Sequence, residues 1–152
     1  MSKYENLKLD HQLCFALYAA THALTRAYRG ALNKSGLTYT QYLVMLVLWE
    51  TNGISVSSIG RRLELDSATL TPMLKRLEAA GFIIRSRSSQ DERVVEVSLT
   101  KTGVELQAEI AKVQQGVECQ TGLCDEEFAK LKDSLNRLAD NMAKNTSQKE
   151  AA

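Results

Sequence analysis

The chain has 152 residues, 44% of them hydrophobic and 24% charged, with eight glycines and one proline. That balance excludes a disordered polymer and a second full domain, and it points to one globular, mostly helical core. Nineteen lysines and arginines oppose eighteen aspartates and glutamates, so the net charge of +1 excludes a global attraction to polyanions and confines any nucleic-acid footprint to a local patch.

In chain order, Met1 to Lys8 is polar and reads as an arm. Asp10 is expected to cap a long helix ending near Leu32. Leu13, Leu17, Ala20 and Leu24 form one apolar stripe of that helix, and Phe15, Ala16, Ala19, Ala23 and Ala27 widen it. A helix apolar over so much of its girth packs on several sides, which in a chain of this size implies a partner subunit. Asn33 to Gly36 connects. Thr38 to Gln41, TYTQ, is a capping box opening the helix Tyr39 to Glu50, whose YLVMLVLW run is core. Thr51, Asn52 and Gly53 break it.

A short helix follows from Val56 to Leu63, then a turn at Glu64, Leu65 and Asp66. The next helix is capped by Asp66 or Ser67 and buries Leu70, Leu74 and Leu77. Ser67, Thr69, Lys75 and Arg76 face away from that stripe. Pro72 leaves two alternatives: a helix kinked at an interior proline, or one beginning at Thr71 with Pro72 at its first position. Gly81 is the expected left-handed stop. The period then changes from 3.6 to 2 across Phe82 to Arg87 and again across Val94 to Leu99, which is a β-hairpin with the polar tip SSQDER. The order helix, turn, helix, hairpin is that of a winged helix-turn-helix. Hydroxyls at the exposed start of a helix, cations at its end and a basic hairpin beside it suit major-groove reading with a backbone or minor-groove grip. From Lys75 to Arg93 the cations Lys75, Arg76, Arg85, Arg87 and Arg93 outnumber Glu78, Asp91 and Glu92. The plainer alternative is a protein-binding helix-turn-helix with a solvated charged face.

Thr100 caps a further helix through Leu106, Ile110 and Val113 to about Cys119, which Gly116 is expected to interrupt. Gln120 to Leu123 turns, and Cys124 stands where a helix favours serine, threonine or aspartate. The last helix, Asp125 to Lys144, repeats Phe128, Leu131, Leu135, Leu138 and Met142 as a narrow seam like that of paired helices, and NTSQKEAA frays. No apolar run reaches membrane-spanning length and MSKYENLKLD lacks the core of a secretion signal, so a cytoplasmic protein is expected, with free thiols rather than a disulfide framework. His11, Cys14 and His22 share a face only in part, so neither a metal nor another cofactor is expected.

The motifs DERVVEVSLT, from Asp91 to Thr100, and LKRLEAAGFIIR resemble the wing and recognition helix of the MarR family of winged-helix transcriptional regulators. LDHQLCFALYAA and GLTYTQYLVMLVLWE are similar to its organic-hydroperoxide-sensing OhrR branch. The resemblance spans nearly the whole chain. It implies a single MarR-type domain over 1–152, mainly α with a small hairpin wing. Its dimerisation helices would lie at about 9–33 and 101–144 and its winged unit at about 54–99. A homodimer would grip a pseudo-palindromic operator in double-stranded DNA. By position, Arg93 would enter the minor groove, held by Asp91. Ser67 and Thr69 would approach base edges, and Arg76 and Arg85 would meet phosphates, with Lys75 beside them.

The same resemblance makes Cys14 the thiol oxidised by an organic hydroperoxide, hydrogen-bonded by Tyr28 and Tyr39 of the other subunit with Tyr18 nearby. The first turns of a helix favour an anion there, and Leu13, Phe15 and Leu17 suit an apolar peroxide. Taken without the family, a cysteine between leucine and phenylalanine reads more simply as an inert core residue. Cys119 and Cys124 are the candidates to trap a sulfenic acid as a disulfide, the pattern of the two-cysteine subtype. Cys119 is chosen because it ends a helix leading toward the dimer region, with Cys124 as the alternative. Two other functions are weighed: a MarR-type regulator released by a bound apolar or phenolic ligand, and a thiol peroxidase. The second is disfavoured because LCFAL offers no arginine or threonine to activate the peroxide, so no enzyme is expected.

Overall fold

The computed structural model describes residues 4–150, with side chains through residue 146. The chain divides after Val117 into two compact units. The first opens with two short 3-10 turns, Glu5–Leu7 and Leu9–His11, before helix α1, Leu13–Leu32. The expected arm is therefore wound up from Tyr4 onward, with its first three residues outside the described ones. The Gln12 carboxamide donates to the carbonyls of Asn6, 2.6 Å, and Lys8, 3.0 Å. Asp10 does not cap α1. The N–H of Gln12 closes onto Leu9 at 3.0 Å, which locks Asp10 inside the second turn and leaves Gln12 at the N-cap position with no side-chain cap bond.

Helix α2, Tyr39–Glu50, begins with the full capping box: Gln41 N–H donates to Thr38 Oγ1 at 3.3 Å and Thr38 N–H to Gln41 Oε1 at 2.9 Å. It is the spine of the core. Val44, Met45, Val47 and Leu48 are buried against Tyr28 and Leu32 of α1, Ile59, Leu70, Leu74 and Leu77 of the next two helices, and Ile83, Val97, Leu106, Ile110 and Val117 farther along.

Helices α3, Val56–Leu63, and α4, Ser67–Ala79, make the helix-turn-helix, joined through Glu64 in the left-handed conformation, φ 54°. Such a φ at a non-glycine residue is uncommon, and a two-helix turn this tight demands it. Gly60 lets the helices close, since a Cβ there would stand 2.8 Å from the Leu65 carbonyl oxygen. The proline alternative resolves toward an interior Pro72, for α4 starts at Ser67. A helix begun by a firm Asp66 cap and carried by three buried leucines tolerates the missing amide. At the other end the N–H groups of Gly81 and Phe82 donate to Glu78 and Leu77 oxygens at 2.9 and 3.1 Å, a complete Schellman closure with Gly81 at φ +78°.

Strands β2, Ile83–Arg87, and β3, Val95–Leu99, form the hairpin. A two-residue strand β1, Ile54–Ser55, adds to β3, giving the antiparallel order β1-β3-β2. A strand that short has no readable period. Val97 faces both Ile54 and Arg85 in register, and the Asn52 side-chain oxygen accepts Leu99 N–H at 2.8 Å.

Helix α5, Lys101–Gln120, is uninterrupted at Gly116. The glycine disfavours helix by about 1 kcal/mol, while half-buried Val113 and buried Val117 hold the turns on either side. The second unit contains the turn Thr121–Leu123, with Gly122 at φ +68°, and helix α6, Asp125–Glu150. The end expected to fray from Asn145 stays helical to Glu150, and its last two residues lie outside the described ones. No described helix is long and apolar enough to cross a membrane.

Candidate functional site

Asp66 sets the reading end of α4. Its carboxylate accepts Thr69 N–H at 2.7 Å, and that bond holds its carboxyl below the usual range. Ser67 and Thr69 are exposed in the first turn; Lys75 and Arg76 are exposed toward the last. Thr71, not singled out from the sequence, donates its hydroxyl to the Ser67 carbonyl at 2.7 Å. A groove of about 320 Å³ is lined by Ser55 and Ser57 at the start of α3, Ser67 and Thr71 of α4, and Arg85 and Arg93 of the hairpin. Its hydroxyls and guanidinium groups fit a sugar-phosphate backbone.

The hairpin tip is a bonded turn. Ser88 N–H donates to Val94 O at 2.8 Å, and Val94 N–H to Asp91 O at 2.9 Å. Asp91 holds Arg93 through the backbone: its carboxylate accepts the Arg93 N–H at 3.0 Å, while the guanidinium has no partner among the described residues. Arg85 is engaged differently. Glu78 accepts its Nε at 2.9 Å, its Nη2 at 2.6 Å and, with the other oxygen, its backbone N–H at 3.0 Å. Glu78 escaped the sequence reading because its partner lies beyond the Gly81 turn, where neither helical nor strand spacing applies.

Cys14 is the second residue of α1, two places after the N-cap position Gln12, and is exposed as a free thiol beside exposed Leu13 and Phe15. Tyr18 meets His22 in a tilted contact with ring centroids 4.2 Å apart and lies nearly parallel to Phe15 at 6.3 Å. Tyr28 and Tyr39 meet at 5.4 Å in a cluster with Tyr42, which is 5.0 Å from Tyr28. Tyr42 was read from the sequence only as core. Burial, and then the neighbouring Tyr28, raise the Tyr39 pKa, which keeps its hydroxyl a donor. Tyr28 follows Cys14 by fourteen residues on one helix, about 21 Å at a rise of about 1.5 Å per residue. Contact between them inside one chain is therefore excluded. In the second unit Cys119, near the end of α5, and Cys124, before α6, are exposed free thiols. Cys124 meets the cap through its backbone, its N–H donating to Glu127 at 3.0 Å.

The winged arrangement finds its counterpart among known proteins. The family model of the transcriptional regulator SarA/Rot matches residues 26–110. The chain belongs to the MarR-type winged-helix transcriptional regulators. Within that family it is 42% identical over 144 residues to the organic hydroperoxide resistance transcriptional regulator of Bacillus subtilis, covering 93% of this chain and 96% of that one. It is 51% identical over 134 residues to the regulator TtmR of Methylorubrum extorquens, covering 88% of this chain and 69% of the relative. The fold superposes on reduced, DNA-bound AbfR at a TM-score of 0.78 with 38% identity, covering 93% and 97% of the two chains. AbfR of Staphylococcus epidermidis is also known in a disulfide form, matched at a TM-score of 0.65 with 38% identity over 89% and 95%.

Proposed function

We propose that the protein is a cytoplasmic, homodimeric repressor without catalytic turnover that binds a pseudo-palindromic operator and releases it when an organic hydroperoxide oxidises Cys14. The observation that carries this reading is the placement of Cys14, a free exposed thiol in the first turn of α1, in a chain 42% identical to a hydroperoxide-resistance regulator. The Cys14 thiolate attacks the terminal peroxide oxygen, the O–O bond breaks, and the alkoxide takes a proton and leaves as an alcohol. The sulfur is left as a sulfenic acid. The thiol of the partner subunit's Cys119 then displaces the hydroxyl as water and closes a disulfide. Cys124 is the alternative resolving thiol.

The 21 Å along α1 supports a two-chain site, in which one protomer's Cys14 meets the partner subunit's Tyr28 and Tyr39. Exposed Leu13, Phe15 and Leu24 on α1, and Leu131, Leu135 and Met142 on α6, are the faces such a dimer would cover. On the DNA side Ser67 and Thr69 face base edges, Arg93 the minor groove, and Lys75, Arg76 and Arg85 the phosphates. The test is an operator titration with and without one equivalent of cumene hydroperoxide. Release by the peroxide and recovery with a thiol reductant are expected; unchanged binding after complete Cys14 oxidation defeats the reading.

A second reading is favoured by a groove of about 310 Å³ between α2 and α5, lined by Tyr42, Leu46, Trp49, Ile110 and Ala111 with Glu50, Gln107 and Gln114. An apolar or phenolic ligand bound there would release DNA without oxidation, and would still do so in Cys14→Ser.

A further inference from the structure

The wing leaves the core at a definable place. Ile83, the first residue of β2, is buried, but Ile84 beside it is 55% exposed and Arg87 is exposed as well. Beyond Ile83 the strand is tied to the recognition helix at Arg85, through Glu78 in the last turn of α4. Arg85 donates all three hydrogen bonds of the tie, its backbone N–H to one Glu78 carboxylate oxygen and its Nε and Nη2 to the other. The pair is half-buried, with side-chain exposures of 25% for Arg85 and 35% for Glu78. The guanidinium bonds, and then the Arg85 N–H, draw the Glu78 carboxyl below its ordinary range, so it is ionised at neutral pH. Nη1, the remaining nitrogen of Arg85, has no hydrogen-bond partner among the described residues. Arg85 also lines the groove with Ser57, Ser67, Thr71 and Arg93.

We propose that Glu78 is a positioning residue for operator recognition: it bolts the wing to the recognition helix at a fixed spacing and presents the free edge of Arg85 to the groove. This rests on the DNA-binding reading above and deepens it. Reading a major groove with α4 and the adjacent minor groove with the wing requires both at a fixed separation. With the backbone N–H on one carboxylate oxygen and Nε and Nη2 converging on the other, the pair fixes direction as well as distance, which a lysine in place of Arg85 cannot do. Glu78 also cancels the Arg85 charge, so the wild-type pair adds no net cation to the phosphate footprint.

The full-length protein is first used to select a duplex from a randomised 30-base-pair library. Affinities for that duplex and for poly(dI-dC) are then measured across salt concentrations, together with the melting temperature. Glu78→Gln is expected to lower the ratio of specific to non-specific affinity about tenfold. Its slope of log affinity against log salt on poly(dI-dC) should steepen by about 0.9, because one cation is uncovered. Arg85→Lys is expected to lower the same ratio while leaving that slope unchanged, and the double variant should be no worse than the poorer single one. An unchanged ratio and slope in Glu78→Gln overturns the proposal. An equal loss on both DNAs that tracks a lower melting temperature also overturns it, by assigning Glu78 a merely structural role. If the wild-type protein selects no duplex, the DNA-binding reading itself falls, an outcome visible before any variant is made.

Discussion

Between Asp66 and Leu99 the polar groups close on one another within a single chain: Asp66 on Thr69, Glu78 on Arg85, Asp91 on the Arg93 amide, Ser88 on Val94. Around Cys14 the opposite holds. Leu13 is 62% exposed and Tyr18 59%, and Tyr28, proposed to meet a thiol of the other subunit, lies most of the length of α1 away from Cys14. A surface that reads DNA must hold its geometry before the ligand arrives, so it is finished in one chain. A switch has to move between two arrangements, and the open surroundings of Cys14 in the single chain suit the two-chain site proposed for it.

The sharpest break in that comparison is Cys14→Ser. Operator affinity should stay within about twofold, because the residue lies outside the α4 and hairpin surface, while release by hydroperoxide should be lost altogether. Gel shift with and without peroxide checks both, and retained release moves the sensor elsewhere. Next in size is Leu131→Arg with Leu135→Arg. Both side chains are exposed in one chain, 49% and 39%, so the fold should survive while the dimer does not. Sedimentation should show monomers, and affinity for a two-half-site operator should fall about a hundredfold as linked binding is lost. A dimer that persists removes α6 from the interface.

Gly103→Ala tests the rigid half. Gly103 of α5 presses so closely on the wing's entry that a Cβ would stand 2.0 Å from the Phe82 carbonyl oxygen, and its own carbonyl accepts Trp49 Nε1–H at 2.9 Å. Backbone must shift, at about 3 kcal/mol, measurable by urea unfolding; a variant as stable as wild type would deny the tight approach. Arg93→Ala should be milder: roughly tenfold weaker binding to every duplex, with a salt slope flatter by about 0.9. Altered sequence preference without a slope change would place Arg93 on base edges instead.

What the sequence made legible divides along the same line. The cap at Thr38, the choice of Asp66 or Ser67 before α4, the leucine stripe of α4, the Gly81 stop and the two strands of the hairpin are local patterns, and each carries its own period or terminator. Glu78 on Arg85, Asn52 on Leu99, strand β1 and the third tyrosine of the cluster depend on chain brought together across turns, so no spacing announces them. Asp10 and Gly116 misled in another way: each has the right chemistry to begin or interrupt a helix, but a preceding 3-10 turn and a buried valine decided otherwise. The assignment of Cys14 as a reactive thiol rests on resemblance, since a cysteine flanked by apolar residues carries the same pattern whether inert or reactive.

The smallest expected effect lies at the cap that aims Ser67 and Thr69. Asp66→Ala removes the acceptor of Thr69 N–H and should lower the melting temperature by a few degrees at pH 7. The pH dependence identifies the cause. Asp66 has its folded-state pKa below its ordinary value of 3.8, chiefly through the Thr69 amide bond. Its stabilisation is therefore fully present above the unfolded value and is lost as pH falls through the lower, folded one. The gap between wild type and Asp66→Ala should stay constant from pH 7 to about pH 5 and then narrow at more acid pH, while Asp66→Asn, which keeps a side-chain acceptor without the charge, should lie between the two and show no such narrowing against Asp66→Ala. A non-zero gap that stays constant through the acid range would mean that the cap acts through its side-chain acceptor alone and that the ionised charge adds nothing, whereas no gap at any pH would leave the start of α4 to Leu70, Leu74 and Leu77.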